Sequence, residues 1–312
     1  MASNLLAVGL QGKVARESGR EAEMTSSVSP RVAIRNILVL TDFSPASDEA
    51  LRCAAAWARG FGAAVHVVHF LRPSTLMLAG DAYVDLSAQA QEEGRVKLAK
   101  IAASPELEGI AHATEMDYGE ILDDLPAIVT RNHVDLIVLA SAGRRGLNKM
   151  LLGSTAEKVF RTVRQPVLML GPGVTTPPSA EPRTILFATD FGEAAEHASS
   201  YAFYLAQWTQ ARLVLLHVMP AAGAHAPGLS DVNLAEGRLR ALIPPGAESW
   251  CQVEVAVRSG KPAEQIREAT RLYAPDLIVL GARRAPKVSL YTGWATAYDL
   301  MSESPCPVLT VR

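Results

Sequence analysis

Leu136-Ile-Val-Leu-Ala-Ser-Ala-Gly-Arg-Arg-Gly-Leu-Asn-Lys-Met-Leu-Leu-Gly-Ser-Thr-Ala-Glu157 reads as a buried strand, a glycine loop and the start of a helix. The opening apolar run suits a strand covered on both faces of a parallel sheet. Gly143, Gly146 and Gly153 let the chain turn tightly and let its backbone come close to a ligand. Ser154 and Glu157 have the spacing of a capping box at a helix N-terminus. Unpaired backbone N–H groups and the positive end of a helix dipole then converge on one point, a place suited to phosphate. The same residues also make an ordinary capped strand-to-helix turn, and the local pattern alone does not choose between the two. Neither a Walker A loop nor Gly-x-Gly-x-x-Gly is present.

The strand-then-helix pattern extends in both directions. Asn36–Asp42 is predicted as the first strand, followed by a helix that starts at Ser44-Pro45 and runs to about Arg59, with Gly60 and Gly62 ending it. Ser as N-cap, Pro at the first helical position and acidic Asp48 and Glu49 favour that start. Ala64–Phe70 is the second strand. A looser segment follows, then a helix over 87–103, a strand over 111–117, a helix starting near Gly119 and, after the quoted stretch, a fifth strand at 165–170. Alternation of this kind gives a parallel sheet with right-handed crossovers.

The whole pattern then recurs. Arg183–Phe191 repeats Asn36–Phe43, and Pro275-Asp-Leu-Ile-Val-Leu280 repeats Val134-Asp-Leu-Ile-Val-Leu139. His217 falls on His69, an offset of 217 − 69 = 148; Asp276 falls on Asp135, an offset of 276 − 135 = 141. The first copy therefore carries seven extra residues, 148 − 141, between these points. Two copies of one domain follow. The fold class is α/β, with two tandem doubly wound, Rossmann-like parallel sheets. The expected division is a mobile arm over 1–34, a first domain over 35–171, a Pro-, Gly- and Thr-rich linker over 172–182, and a second domain over 183–312. Met24 is a second candidate for the translation start.

Bulk properties narrow the function. The 312 residues suffice for about two domains, 49% are hydrophobic, and the formal net charge is −2. That balance argues against a nucleic-acid binder or a basic membrane-surface protein. Cys53, Cys251 and Cys306 are sparse and far apart, which suits a reducing cytosol and a role as small buried hydrophobes. No apolar run approaches the length of a membrane span, and Leu5–Leu10 is too short for a signal segment and has no basic residue ahead of it. The expected location is cytoplasmic. His66 and His69 are an odd step apart on one strand and face opposite sides, so they cannot share a metal. No Gly-x-Ser-x-Gly elbow supports a hydrolase.

In these motifs the chain resembles the universal stress protein family in its tandem form. ATP-binding members carry Gly-x-x-Gly, nine residues, then Gly-Ser/Thr. Here Ala140-Ser-Ala-Gly143, nine residues and Gly153-Ser154 fit that pattern, with Ala140 in place of the first glycine. The resemblance implies the strand order 3-2-1-4-5 and a ligand at the carboxyl ends of the strands. It would put Thr41 and Asp42 by the adenosine and Val67 or Val68 in the adenine pocket. Ala140 and Gly143 would flank the ribose and first phosphates, and Gly153, Ser154 and Thr155 would hold the phosphates. Arg144 and Arg145 would lie over the phosphates or stand in solvent. Asp42 is also a candidate to hold Mg²⁺ or activate water, although a hydrogen bond to adenosine is the preferred role. The methyl of Ala140 is expected to weaken or shift binding.

The second copy departs at this loop. Gly143, Gly146, Gly153 and Ser154 become Arg284, Lys287, Trp294 and Ala295, while Gly281 and Asp190 persist. The Trp294 indole is expected to fill the phosphate space, so the second domain should bind no triphosphate in the manner of the first. The fifth strands, Val167–Leu170 and Val308–Val311, are apolar edges that call for a partner. Pairing the two halves of one chain as a pseudo-dimer would cover both, and a further homodimer is a second possibility. The function expected is a non-enzymatic stress protein that binds ATP, with or without Mg²⁺, in its first domain. The alternatives are a slow ATPase or nucleotidyl-transfer enzyme, and a structural partner-binding module.

Overall fold

The structure is a computed structural model that describes residues 32–71, 75–78, 82–85, 87–141, 154–175, 181–220, 228–282 and 294–312. The expected arm lies almost wholly outside this set, and so does most of the glycine loop.

In the first repeat, β1 (Asn36–Leu40), β2 (Ala64–Phe70), β5 (His112–Asp117), β6 (Leu136–Ala140) and β7 (Val167–Leu170) form a parallel sheet in the order β5-β2-β1-β6-β7. The second repeat gives β10-β9-β8-β11-β12 from β8 (Thr184–Thr189), β9 (Arg212–Met219), β10 (Val253–Ser259), β11 (Leu277–Gly281) and β12 (Val308–Val311). Both orders are the expected 3-2-1-4-5. They join through antiparallel pairing of β7 with β12, with Leu168 opposite Leu309 and Met169 opposite Val308, into one ten-stranded sheet. Each fifth strand covers the apolar edge of the other, which removes the aggregation hazard that a bare edge would present.

Because the strands are apolar on both sides, the sheet has two cores. Ile37, Val39, Val65 and Val67 lie in one, with Phe187 and Leu215 from the second repeat. Helices α1 (Pro45–Phe61), α2 (Ser87–Ala102), α5 (Glu193–Thr209) and α6 (Leu229–Ala241) contribute to it. Leu38, Leu40, Val68, Leu186 and Leu216 lie in the other, under α3 (Ile121–Arg131), α4 (Ser154–Thr162), α7 (Pro262–Tyr273) and α8 (Trp294–Glu303). Each core runs through both repeats, so the seam is interior. No helix among the described residues is long and apolar enough to cross a membrane.

The first helix shows how local sequence sets its ends. Ser44 in extended conformation accepts from the Ser47 amide at 3.3 Å, Pro45 opens the first turn, and Gly62 at φ 65° closes the last with its N–H on the Ala58 carbonyl. That left-handed cap suits glycine, which carries no Cβ to clash. Within α6, by contrast, Gly237 has nothing within 4 Å of a built Cβ. Gly237→Ala should therefore stabilise the fold by about 0.5–1 kcal/mol through helix propensity alone, read as a rise in melting temperature.

The extra seven residues of the first copy lie between its second strand and the next helix. Residues 71–86 separate β2 from α2, sixteen in all, whereas 220–228 separate β9 from α6, nine in all. The added length carries an antiparallel hairpin, β3 (Thr75–Leu78) with β4 (Ala82–Asp85). Sequence reading expects a loose segment there, because two four-residue strands are too short to show a period.

At the amino edge of each sheet one aspartate staples the first strand. Asp135 Oδ2 accepts from the amides of Arg35 and Asn36 at 2.8 and 3.0 Å, and Asp276 Oδ2 accepts from Arg183 and Thr184 at 2.8 and 3.0 Å. Asp135→Ala should cost about 1–3 kcal/mol, since a charged acceptor of two backbone donors is lost. Asp276→Ala should cost as much again, additively, because the sites share no partner. Urea unfolding of the single and double variants checks both.

The linker is less free than its composition suggests. Val174 donates to the Gly171 carbonyl at 3.1 Å, and Thr175 to the Pro305 carbonyl at 3.0 Å, which pins its first residues to the second repeat.

Candidate functional site

The site is built from the corner that follows β1. The Thr41 amide continues the ladder, donating to the Val68 carbonyl at 2.9 Å. Its buried hydroxyl lies 3.0 Å from Ser47 Oγ. Ser47 Oγ donates to the Ser44 carbonyl at 2.8 Å, so the Thr41 hydroxyl is the donor of the pair. Thr41 Oγ1 in turn accepts from the Phe43 amide at 3.0 Å, and Asp42 Oδ1 from the Ser44 amide at 3.0 Å. Phe43 sits at φ 61°, a left-handed conformation that costs a non-glycine residue energy. The His69 ring, 4.3 Å from that of Phe43, donates from Nδ1 to the Thr41 carbonyl at 2.8 Å. Since a carbonyl can only accept, the bond fixes the proton on Nδ1. Lys97 Nζ stands 5.2 Å from the Phe43 ring centre.

The second repeat builds the same corner. Thr189 Oγ1 accepts from Phe191, Asp190 Oδ1 from Gly192, both at 2.9 Å, and Phe191 sits at φ 58°. His217 Nδ1 donates to the Thr189 carbonyl at 2.8 Å, its ring 4.5 Å from Phe191, and Arg238 lies 3.9 Å above the Phe191 ring. The two histidines that fall on one another in the sequence are thus lids over a left-handed phenylalanine. Their repetition is structural.

Asp42 is the exposed member of the first corner. Partial burial pulls its carboxyl up, but hydrogen bonds led by the Ser44 hydroxyl and amide outweigh that and hold it below its ordinary value. It is therefore ionised at any pH near neutral. Extending the strand register sets Thr41 beside Ala140 and Asp42 beside Phe70. This is the gap between β1 and β6 where the chain reverses its direction of travel across the sheet, the usual place for a ligand in such folds.

The structure sorts the expected site residues. Thr41, Asp42 and Ala140 come together at this gap. Val68 lies on the face toward α3 and α4. Val67 does not: it is buried in the opposite core, with α1 and α2, and cannot line a pocket shared with Val68. The reason is strand alternation, which puts Phe70 on Val68's side instead. Phe70 was legible from that period of two, and Ser47, which supports Thr41, from its place one turn into the helix. Ser154 opens α4 and Thr155 is exposed on it. Gly143, Arg144, Arg145 and Gly153 lie outside the described residues.

The glycine equivalent to Ala140 explains what that position does. A Cβ on Gly281 would meet the Ala195 amide nitrogen at 2.4 Å and the Ala194 carbonyl carbon at 2.5 Å. The bare backbone there admits the start of α5. By the repeat, the Ala140 methyl is directed at the start of α1, where it packs with the first core. At the same corner of the second repeat a cavity of about 250 Å³ opens among Thr189, Asp190, Leu216, Val218 and Gly281. The sequence draws attention to the first repeat; this hollow lies in the second, beyond the reach of any argument from the glycine loop.

Among the described residues no group of three or more His, Cys, Asp or Glu could hold a metal. The cysteines are free and buried; burial pushes the thiols of Cys251 and Cys306 up to about 11 and that of Cys53 higher still. They are poor nucleophiles near neutral pH.

Fold and corner together define a tandem pair of doubly wound α/β domains, each with a polar turn at its switch point. The sequence profile of the universal stress protein family matches residues 33–171 and 181–312, and the chain belongs to that family. It is 31% identical over 138 residues to a universal stress protein of Methanocaldococcus jannaschii, covering 44% of this chain and 81% of that one. A universal stress protein of Mycolicibacterium smegmatis is 26% identical over 290 residues, 88% of this chain and 96% of that one. The crystal structure of a universal stress protein from Archaeoglobus fulgidus superposes with a TM-score of 0.72 at 22% identity, over 90% of this chain and 98% of that one, a likeness of fold.

Proposed function

We propose that the first repeat binds ATP at the carboxyl ends of β1 and β6, and that the second is a pairing domain that binds no ATP. The observation that carries this reading is the polarity of the gap. Asp42 is exposed and ionised at one side, next after Thr41; after the loop, α4 starts at Ser154. A carboxylate accepts from the hydroxyl and amine donors of an adenosine and repels phosphate. A helix N-terminus does the reverse. ATP carries donors at one end and negative charge at the other, in the matching order. Thr41 holds the corner, Val68 and Phe70 supply apolar wall for the ring, and Gly143, Gly153, Ser154 and Thr155 receive the phosphates, with Arg144 as a further cation. Mg²⁺ would enter with the phosphates as their counter-ion.

The role is binding, not turnover: no residue of the corner is placed as a general base with a partner that would activate it. Pairing of β7 with β12 uses both fifth strands within one chain, so any further homodimer would form through another surface. Calorimetric titration of the full chain with Mg·ATP should give one equivalent bound per chain and no steady release of phosphate. No heat of binding up to millimolar ATP would end this reading, and phosphate release that disappears in Asp42→Ala would make the protein an ATPase.

A further inference from the structure

We propose that β10 is a self-complementary edge through which two copies of this chain join, strand against strand and antiparallel, about a twofold axis at Ala256. With β7 and β12 covering each other, β5 and β10 are the outermost strands of the sheet among the described residues. At the two ends of β10 the Gln252 carbonyl accepts from the Leu213 amide at 2.8 Å and the Gly260 amide donates to the Met219 carbonyl at 2.9 Å. The even-numbered residues therefore turn their backbone groups toward β9, and Val253, Val255, Val257 and Ser259 turn theirs outward. Such a row is a template for another strand. Its register against β9 runs unbroken from Val253 opposite Leu213 to Ser259 opposite Met219, and the strand contains neither Pro nor Gly. The bulges and prolines that commonly blunt an edge are missing.

Charge chooses the partner and the register. Glu254 and Arg258 stand two residues to either side of Ala256. Turned about Ala256, β10 sets Val255 opposite Val257 of the second copy and Val253 opposite Ser259. These are outward-facing residues, so each pair exchanges two backbone hydrogen bonds. Glu254 then falls opposite Arg258 in the alternate pairs, which make no backbone bonds and bring side chains closest. An axis at Val255 or Val257 leaves both charges without a mate, and an axis at Glu254 or Arg258 sets like against like. Within the chain Arg212 pairs with Glu254, whose side chain is 39% exposed, and a carboxylate has lone pairs for a second donor. Arg258 makes no ion pair among the described residues.

The opposite edge does not fit itself. β5 reads His112-Ala-Thr-Glu-Met-Asp117, with two acids and no Lys or Arg to meet them, and Glu115 is already paired with Arg131. Joining β5 to β10 would be head-to-tail and would leave an open chain of molecules, whereas β10 on β10 closes at two copies. Val253, Val255 and Val257 pack on the first core and Ala256 on the second, so the pairing would extend both cores from one molecule toward the next. None of this rests on the reading of the first repeat as an ATP site.

The test is the mass of the full chain by sedimentation equilibrium over a dilution series. Wild type should reach twice the 33.3 kDa of one chain and fall toward it on dilution. Arg258→Glu sets acid opposite acid and should raise the dissociation constant by about tenfold or more. Glu254→Lys should do the same with cation opposite cation. Mixed in equal amounts, the two variants carry complementary strands and should restore the dimer, a recovery that misfolding would not give. Glu254→Lys also gives up the Arg212 pair, so thermal melting checks each variant. Should it fail to fold, Arg258→Gln, which removes attraction without adding repulsion, should show a smaller rise in dissociation constant. Thr114→Pro removes an outward donor of β5 and should leave the mass unchanged. A wild type that stays at the mass of one chain up to about 100 µM overturns the proposal, whether the edge is bare or a stretch of the same chain lies along it. So does a dimer indifferent to Arg258→Glu, a dimer that Thr114→Pro abolishes, or a mixture of the two folded charge variants that stays monomeric.

Discussion

Gly171→Ala should destabilise the protein by about 3 kcal/mol, at the upper end of what an inserted methyl costs in a packed interior. Gly171 follows β7 directly, and a Cβ there would stand 1.9 Å from the carbonyl oxygen of Met301 and 3.0 Å from its carbon. Both are backbone atoms of α8 in the other repeat, so no rotamer change relieves the clash. Nor can the chain easily retreat. Val167 and Met169 are locked opposite Thr310 and Val308, and the Thr310 hydroxyl donates across the seam to the Val167 carbonyl at 3.2 Å. The methyl therefore either pries the seam or displaces the end of α8. The expected melting temperature falls by roughly 4–5 °C for a chain of this size. Gly173→Ala, whose Cβ would lie 2.9 Å from the Ser304 carbonyl, should show a smaller loss. An unchanged melting temperature for Gly171→Ala would mean that the repeats do not meet as described.

Asp42→Ala should weaken ATP by about 10- to 100-fold, the worth of one or two hydrogen bonds to a charged acceptor, ~1.5–3 kcal/mol. Because Asp42 also accepts from the Ser44 amide, the alanine variant loosens the start of α1. Asp42→Asn separates the two effects: its amide oxygen keeps the Ser44 bond while the charge is gone. If affinity follows the charge, Asn should fall part of the way with an unaltered melt. Asp190→Ala, at the matching corner of the second repeat, should leave ATP affinity untouched. Equal ATP binding by wild type and Asp42→Ala would remove Asp42 from the site. The depressed acidity of Asp42 also has a stability consequence. A carboxyl with a lowered folded pKa contributes stability above its unfolded value, about 3.9, and loses it as pH falls through the folded one. Asn does not titrate, so with an unaltered neutral melt Asp42→Asn should lose less stability on acidification, and its acid unfolding should begin at lower pH than that of wild type.

Much of the site's scaffold could be read from the chain and its finer geometry could not. Thr41-Asp42 stood out because the same residues recur 148 positions later as Thr189-Asp190. That Phe43 and Phe191 adopt left-handed backbone, capped by His69 and His217, could not be inferred. A positive φ at phenylalanine runs against local preference and persists only because tertiary contacts hold it. Val67 and Val68 were indistinguishable by composition; which of them faces the site depends on which side of the sheet α3 and α4 cover. Ala140 looked like a blemish in a ligand loop. The Gly281 contacts show that a side chain at this position meets the start of a helix, which local sequence does not reveal.

By itself the sequence determined the two-fold repetition and the loss of Gly-Ser in the second copy, because these rest on local periodicity and on residues that recur at offsets of 148 and then 141; the order of strands was legible only through the family resemblance. Tertiary structure alone decided that the fifth strands pair antiparallel into one continuous sheet, and that a hollow opens in the second repeat. Both depend on the shapes of side chains that are far apart in sequence and meet only after packing: Leu168 against Leu309 at the seam, and the space left where Ala188 and Val218 replace Leu40 and Phe70.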